Sequence, residues 1–499
     1  MSKLSLIDFF VIITYLVGVL AIGFYFSKRQ KSTKDYFIAN KRIPGWAMGF
    51  ALVATIVSNI TFLANAGAAY ASGWELFTNS FMVFLVIWPI VFIAIPFYRN
   101  VIGISLYEYL EKRFGYGVRA YGSIAFILYY ITRLGVIFFV LSLAVSTMTG
   151  WNIYFIILML GLLTLIYTFM GGIEAVTWTE VGQGILLIGG GLVCLGIIFS
   201  DVPEGPDFIL SKAWEEGKFS LGEMSFNLKD NTIAVMILYG LYQHGHNFGT
   251  DQIMVQRYLT ARTTRESMRG ALISGIACVP VWGMFFLIGT ALWVYYNFTL
   301  NDLPPEIVGN PDQVFPYFIM TKLPKGVTGL ILVALFSSAM STISGGLNSI
   351  STVFTTDLFS RIYKEAESRT RLLVARLVVI VTGILSLILA IWFVTRTGQA
   401  LDHYFMALSI FGGGILGLFL LAALVKKANL HGVTIAIIVN IIVTAWASLT
   451  SNNVIDLGAF NYTLHPFLIG LVSHITIFVV GYLASLFFIA KKEKEISNY

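Results

Sequence analysis

The chain has 499 residues, 57% of them hydrophobic and only 12% charged, with a formal net charge of +6. That composition excludes a water-soluble globular domain, and apolar runs of about 20 residues recur from end to end, each long enough to cross roughly 30 Å of hydrocarbon. The positive balance is not a nucleic-acid signal, because the Lys and Arg lie in loops on one side; Cys194 and Cys278 both fall inside apolar runs, which leaves no disulfide framework and no Cys/His metal site.

The first apolar run, 6–26, carries Asp8 and is followed rather than preceded by a basic cluster (Lys28, Arg29, Lys31, Lys34, Lys41, Arg42), so it reads as a span and not as a cleavable signal. The next, 44–71, contains GFALVATIVSNITFLANAGAAYAS, whose Thr55, Ser58, Asn59, Thr61 and Asn65 interrupt the helix formers. Spans follow at 74–98 and 118–148, with Glu108, Glu111, Lys112 and Arg113 reading as an amphipathic loop helix between them. Then come 153–170 and 178–200, in which the glycines at 189–191 form a helix-packing patch. An acidic loop, 201–231, precedes the span 232–248. There LYGLYQHGHNFGTDQ sets three glycines, two histidines, an asparagine and an aspartate at membrane depth. Further spans at 268–296, 326–355, 373–395, 403–424, 431–449 and 466–490 bring the total to about thirteen. The expectation is a single all-α transmembrane domain over 1–499. Its orientation follows from the basic loops (Arg257, Arg262, Arg265, Arg269; Arg361, Lys364, Arg369, Arg371; Lys426, Lys427) and the tail. These share one side, the acidic loops the other, which places the N-terminus outside and the C-terminus in the cytoplasm of a cell membrane.

Arg133 lies in the middle of AFILYYITRLGVIFFVLSLAV. A charge there costs about 2.5–3.5 kcal/mol on insertion scales, so it faces the protein interior and either holds an anion or neutralises a buried carboxylate, Glu180 or Asp251 being the candidates. The interruptions in 44–71 and 232–250 are tolerable only where backbone lines a cavity or is buried in protein. Paired broken helices in two halves point to the central site of a secondary transporter, with 44–200 and 232–424 as two five-helix inverted repeats, 6–26 leading and 431–490 trailing. The run FSSAMSTISGGLNSIS places the Ser341 and Thr342 hydroxyls one turn after the Ser338 carbonyl. That grouping suits a hard cation of sodium's size, with carbonyls freed near Ala54 and Val57 completing the shell. The same small residues equally serve close helix packing.

Four blocks carry a family resemblance: SKRQKSTKDYFIANKRIPGWAMGFALVATIVSNITF, YTFMGGIEAVTWTEVGQG, GTDQIMVQRYLTAR and SSAMSTISGGLNSIS. They resemble the sodium:solute symporter family, and the Arg133 neighbourhood looks most like its bacterial sialic acid members. The resemblance implies a LeuT-type five-plus-five core. It also implies a sodium site of Ala54, Val57 and Ser338 carbonyls with Ser341 and Thr342 hydroxyls. Arg133 would bind the sugar's carboxylate, with Ser58 and Thr61 lining the same cavity. Departures stand beside these matches. Ile56 replaces a threonine, and Ser80 replaces a glutamine, from which a roomier pocket or one that holds a differently substituted ligand is expected. Glu180, Ser344 and Gly345 stand where the sialic acid members hold a second sodium with an aspartate and two serines; Gly345 offers no side-chain oxygen. His244 and His246 are either substrate or proton groups or satisfied packing partners. Phe248 and Asn247 match the family's aromatic gate, with Asn247 in place of the usual tyrosine.

The expected activity is Na⁺-coupled import of a small solute, first an anionic sugar such as sialic acid. A neutral sugar or polyol with Arg133 internally paired is the alternative, and a monocarboxylate or amino acid comes third. The expected partners are the solute, sodium and the bilayer, with no obligatory protein partner. No soluble signalling domain is apparent, and no nucleophile–base pair or metal cluster has the spacing of an enzyme.

Overall fold

The computed structural model describes residues 4–57, 59–300, 303–395, 412–452 and 454–496. Among these, helices are the only extended regular structure, apart from two isolated β-bridges. Among the described residues, nine helices are long and apolar enough to cross a bilayer, and one bent pair makes a tenth span. In hydrocarbon every backbone polar group must be satisfied within the segment, which is why runs of this composition become helices.

Helix α1 (Leu6–Ser27) leads, its first turn closed by a capping box between Ser5 and Asp8. The second span is broken. Helix α2 (Gly45–Ile56) ends at Val57, whose φ −84° and ψ 87° are not helical, and α3 (Asn59–Ala71) continues beyond it. The two halves meet at 52°. Next come α4 (Glu75–Val101), α5 (Tyr116–Thr149) and α6 (Ile153–Asp201). Helix α6 takes up the spans expected at 153–170 and 178–200 with almost no connection between them. Gly172 alone turns the chain, at φ +58° and ψ −160°, a conformation open to glycine, and a Cβ there would strike Tyr36.

The second interruption that was expected, in 232–250, lies elsewhere. Helix α7 (Ile233–Thr250) runs unbroken through Gly240, Gly245 and Gly249, and the break falls at Asp251, which is extended and caps α8 (Gln252–Thr260). The glycines serve contact rather than unwinding: a Cβ at Gly240 would collide with the Asn79 carbonyl. Helix α8 was expected as a cytoplasmic loop, yet all nine of its residues are buried. Helices α9 (Thr264–Leu300), α10 (Val327–Ile362), α11 (Ser368–Val394), α12 (Ile415–Leu424), α13 (Leu430–Ser451) and α14 (Ile469–Ile496) complete the chain. The first part of the span expected at 403–424 lies outside the described residues.

Packing places α10 at the centre, against α1, α2, α5, α6 and α11. In its most apolar window 89% of residues are buried, against 22% in α1, whose Phe10, Ile13 and Val17 face outward as lipid-facing side chains do. Close crossings rest on glycine. A Cβ at Gly45 would lie 2.7 Å from the Glu266 carbonyl, and one at Gly49 would lie 2.9 Å from the Gly270 carbonyl, so α2 and α9 touch backbone to backbone. Of the glycines at 189–191, Gly190 and Gly191 pack against Ala334 and Met284, whereas Gly189 has open space beside it.

Candidate functional site

The end of α2 and the middle of α10 bring oxygens together. Helix α2 ends at Val57, which puts the carbonyls of Ala54 and Thr55 in its last turn, where a helix's carbonyls have no partners within the helix. Ser341 Oγ lies 3.0 Å from Ala54 O and 2.9 Å from Ser338 O, while Thr342 Oγ1 lies 3.3 Å from Ser338 O and 3.5 Å from Thr55 O. Three carbonyls therefore converge on two hydroxyls, each with one proton to give. All are buried, as is Val57. An acceptor-rich, uncharged, buried cluster of oxygens fits a hard monovalent cation in its donor chemistry, because the cation satisfies lone pairs that the hydroxyl protons cannot.

One turn further along α10, Glu180 of α6 takes a different partner. It is fully buried and receives two bonds from the equally buried Arg257 of α8: Nε to Oε2 at 3.1 Å, and Nη2 to Oε1. Thr55 Oγ1 stands 3.3 Å from the same carboxylate. A Cβ at Gly345 would press 2.5 Å from the guanidinium, so the glycine makes room for the pair. Ser344 Oγ turns back to Ser341 O at 3.2 Å. Glu180 is thus an ion-pair partner first, and the alternative in which it neutralises Arg133 does not occur.

Around the second break, Arg133 is half-buried and donates from Nη1 to Tyr130 Oη at 3.2 Å. That hydroxyl donates in turn to Asp251 Oδ2, and Asp251 Oδ1 accepts from the Ile253 amide at 2.8 Å. Tyr129, Tyr130, His246, Thr250 and Asp251 line one small cavity. His246 Nδ1 lies 3.0 Å from Thr250 Oγ1, and its ring is 6.1 Å from that of His474. His244, by contrast, is buried against Trp282, with ring centroids 5.4 Å apart and planes at 25°. Phe248 is fully buried and its carbonyl accepts from Tyr258 Oη at 2.9 Å, whereas Asn247 is half-buried. Thr61 and Ser80 are buried in α3 and at the start of α4. Ser58 lies outside the described residues.

The profile of the sodium:solute symporter family matches residues 36–440. The chain belongs to the sodium:solute symporter family. Within reach of that family, it is 35% identical over 497 residues to the sodium/sialic acid symporter SiaT of Proteus mirabilis, covering 99% of this chain and 97% of the relative. The sodium/sialic acid symporter NanT of Aliivibrio fischeri is 33% identical, with 96% of this chain and 93% of the relative covered. Among solved structures, a Na⁺-coupled sialic acid symporter in a substrate-bound, outward-open state matches with a TM-score of 0.89 at 34% identity, over 97% of this chain and 98% of that one.

Two residues of this symporter escaped sequence reasoning as site groups. Arg257 was read as one of a run of loop arginines, although its helix, IMVQRYLT, is apolar on the faces beside the charge. Tyr130 was passed over because a tyrosine in an apolar span is unremarkable until the group one turn away is an arginine.

Proposed function

We propose that this chain is a sodium-coupled secondary active symporter that imports an anionic sugar, sialic acid (N-acetylneuraminate) first, by alternating access. The observation that carries the reading is the end-to-end likeness, 35% and 33% identity, to two bacterial sodium/sialic acid symporters. The site chemistry agrees with it. Arg133 presents a guanidinium, with five fixed donors, at membrane depth beside the second break, where a carboxylate can be held bidentately. Thr61, Ser80, His244, Asn247 and Phe248, with Ser58, supply the remaining surface toward the sugar. One sodium is assigned to the Ala54, Val57, Ser338, Ser341 and Thr342 cluster. Glu180 and Ser344 hold no second sodium in this reading, since Arg257 occupies the carboxylate. The architecture proposed is thirteen spans: α1, a five-plus-five inverted repeat of LeuT type, and two trailing helices, with the N-terminus outside and the C-terminus in the cytoplasm. Sodium binding ties α2 to α10 and orders the cavity; closure and inward release follow.

A neutral sugar or polyol is the second reading, favoured by the link from Arg133 through Tyr130 to Asp251, which gives the guanidinium an internal partner. Uptake of radiolabelled N-acetylneuraminate into proteoliposomes, with Na⁺ or K⁺ outside, decides between them. The expected result is Na⁺-dependent uptake that Arg133→Ala abolishes. No uptake under either gradient, with Na⁺-dependent glucose or inositol uptake in the same vesicles, would sink the anionic-sugar reading.

A further inference from the structure

We propose that Arg376 holds the phosphate of an anionic phospholipid, in a site between α6 and α11 on the side of the membrane where the basic loops lie. The inference goes beyond the transport reading above and does not depend on it.

The packing of the two helices fixes the depth. A Cβ at Gly161 would strike Leu387, and one at Gly383 would strike Leu165, so α6 and α11 touch along an antiparallel seam. One turn further along α6, Phe169 meets Arg376, whose guanidinium carbon lies 5.6 Å from the ring centre. The turn at Gly172 ends this leg of α6, so the charge stands about one helical turn inside the helix end. Arg376 is half-buried. Leu162 and Ile166 on α6, with Leu373 and Leu377 on α11, are exposed beside it, which sets the arginine at the edge of the hydrocarbon.

An arginine at that depth is costly to leave unanswered. Among the described residues it has neither hydrogen bond nor ion pair, and its Nε is buried without a partner. The contact with Phe169 is of cation–π type, which steadies the group without using its N–H donors. Both Nη groups therefore keep their donors in a planar fork, the geometry that takes two oxygens of a phosphate at once. The short helix Thr33–Ile38 packs against both α6 and α11 and closes one flank, where Tyr36 Oη donates to Thr168 O at 3.1 Å. Asp35 on that helix accepts from Arg42, and Glu174 beyond the Gly172 turn accepts from Arg29 and Arg42, at 3.2 Å in each case. The segment 28–42 nevertheless holds six basic residues and one acid, with Lys31 and Lys34 exposed. That surplus attracts a headgroup of net negative charge, by about fivefold in affinity for each nearby cation, and does not attract a zwitterionic one.

The test uses the full chain purified in detergent and titrated with phosphatidylglycerol, native mass spectrometry giving the dissociation constant of the first lipid bound. Phosphatidylethanolamine with the same acyl chains and inorganic phosphate are the comparison arms. Wild type is expected to hold phosphatidylglycerol about tenfold more tightly than phosphatidylethanolamine, and Arg376→Gln to lose about fivefold of that affinity. Arg376→Lys, which keeps the charge and loses the fork, is expected to fall between the two. Phe169→Leu removes the ring beside the guanidinium at constant charge; it is expected to weaken phosphatidylglycerol about twofold to threefold, and it decides the matter if neither Arg376 variant folds. Equal phosphatidylglycerol affinity in wild type and the folded variants overturns the proposal, as does a wild type that holds both lipids alike. Displacement of phosphatidylglycerol by millimolar inorganic phosphate marks a site for a free anion and overturns the lipid assignment.

Discussion

Two hydroxyl protons cannot serve three convergent carbonyls, and this shortage gives Ser341 a role that its size alone does not. Replacing it by alanine removes an oxygen that stands 3.0 Å from Ala54 O and 2.9 Å from Ser338 O. Loss of one such ligand is worth about 1.5 kcal/mol, so Ser341→Ala is expected to raise the sodium concentration for half-maximal uptake about tenfold. A sodium titration of uptake reads this, with the apparent affinity for the organic substrate nearly unchanged at saturating sodium. Glu180 carries the opposite kind of risk. Removing its charge strands the fully buried Arg257, and breaking one partner of such a pair costs about 3–5 kcal/mol. Thermal unfolding in detergent should show Glu180→Gln strongly destabilised and the double change Glu180→Gln with Arg257→Met largely recovered. The hydroxyl cluster was legible in the sequence because its members sit one helical turn apart on a single span. The Glu180–Arg257 pair was not. Its members are 77 residues apart, and no local period links a glutamate on one helix to an arginine read as part of a loop.

Helices explain why some breaks could be anticipated and others were misplaced. The interruption of 44–71 showed in sequence because polar residues replace helix formers at the break itself, ending α2 at Val57. In 232–250 the same glycine and histidine content marks helix contact, and the chain bends only where Asp251 can cap the helix that follows. Composition reports that a segment is unusual; the capping residue reports where it turns. Contact through glycine carries its own prediction. Gly45 and Gly49 on α2 face Gly270 on α9 closely enough that a Cβ at Gly49 would lie 2.9 Å from the Gly270 carbonyl. Gly49→Leu must push the two helices apart, at a cost of about 1–3 kcal/mol for overpacking, whereas Gly18, with open space about its Cα, should accept alanine without loss. Melting temperatures of the two variants in one detergent make the comparison.

At the scale of the whole molecule, the coupling arithmetic depends on how many charges cross. A membrane potential of 100 mV supplies about 2.3 kcal/mol per elementary charge, or about 50-fold accumulation. One sodium with one carboxylate moves no net charge, so uptake by the site assigned above is expected to follow the sodium gradient and ignore a potassium diffusion potential set with valinomycin. A substrate-induced inward current would require a further sodium and would overturn the single-site assignment. The broad class, the order of spans and the family were legible from composition and from four separated blocks of sequence, since hydropathy is written locally.

The buried carboxylate of Asp8 reaches across from α1 to the amides of Gly326 and Gly329, at 2.7 and 2.8 Å, where α10 begins. A helix's first amides have no partners of their own, and an anion set against them is favoured by the dipole as well. Rocking α10 free of α1 would strand both the carboxylate and those amides, so the two helices travel as a single beam. Spin labels placed on them should therefore keep one fixed separation through every stage of the cycle, while labels on α2 and α10 drift apart each time sodium leaves.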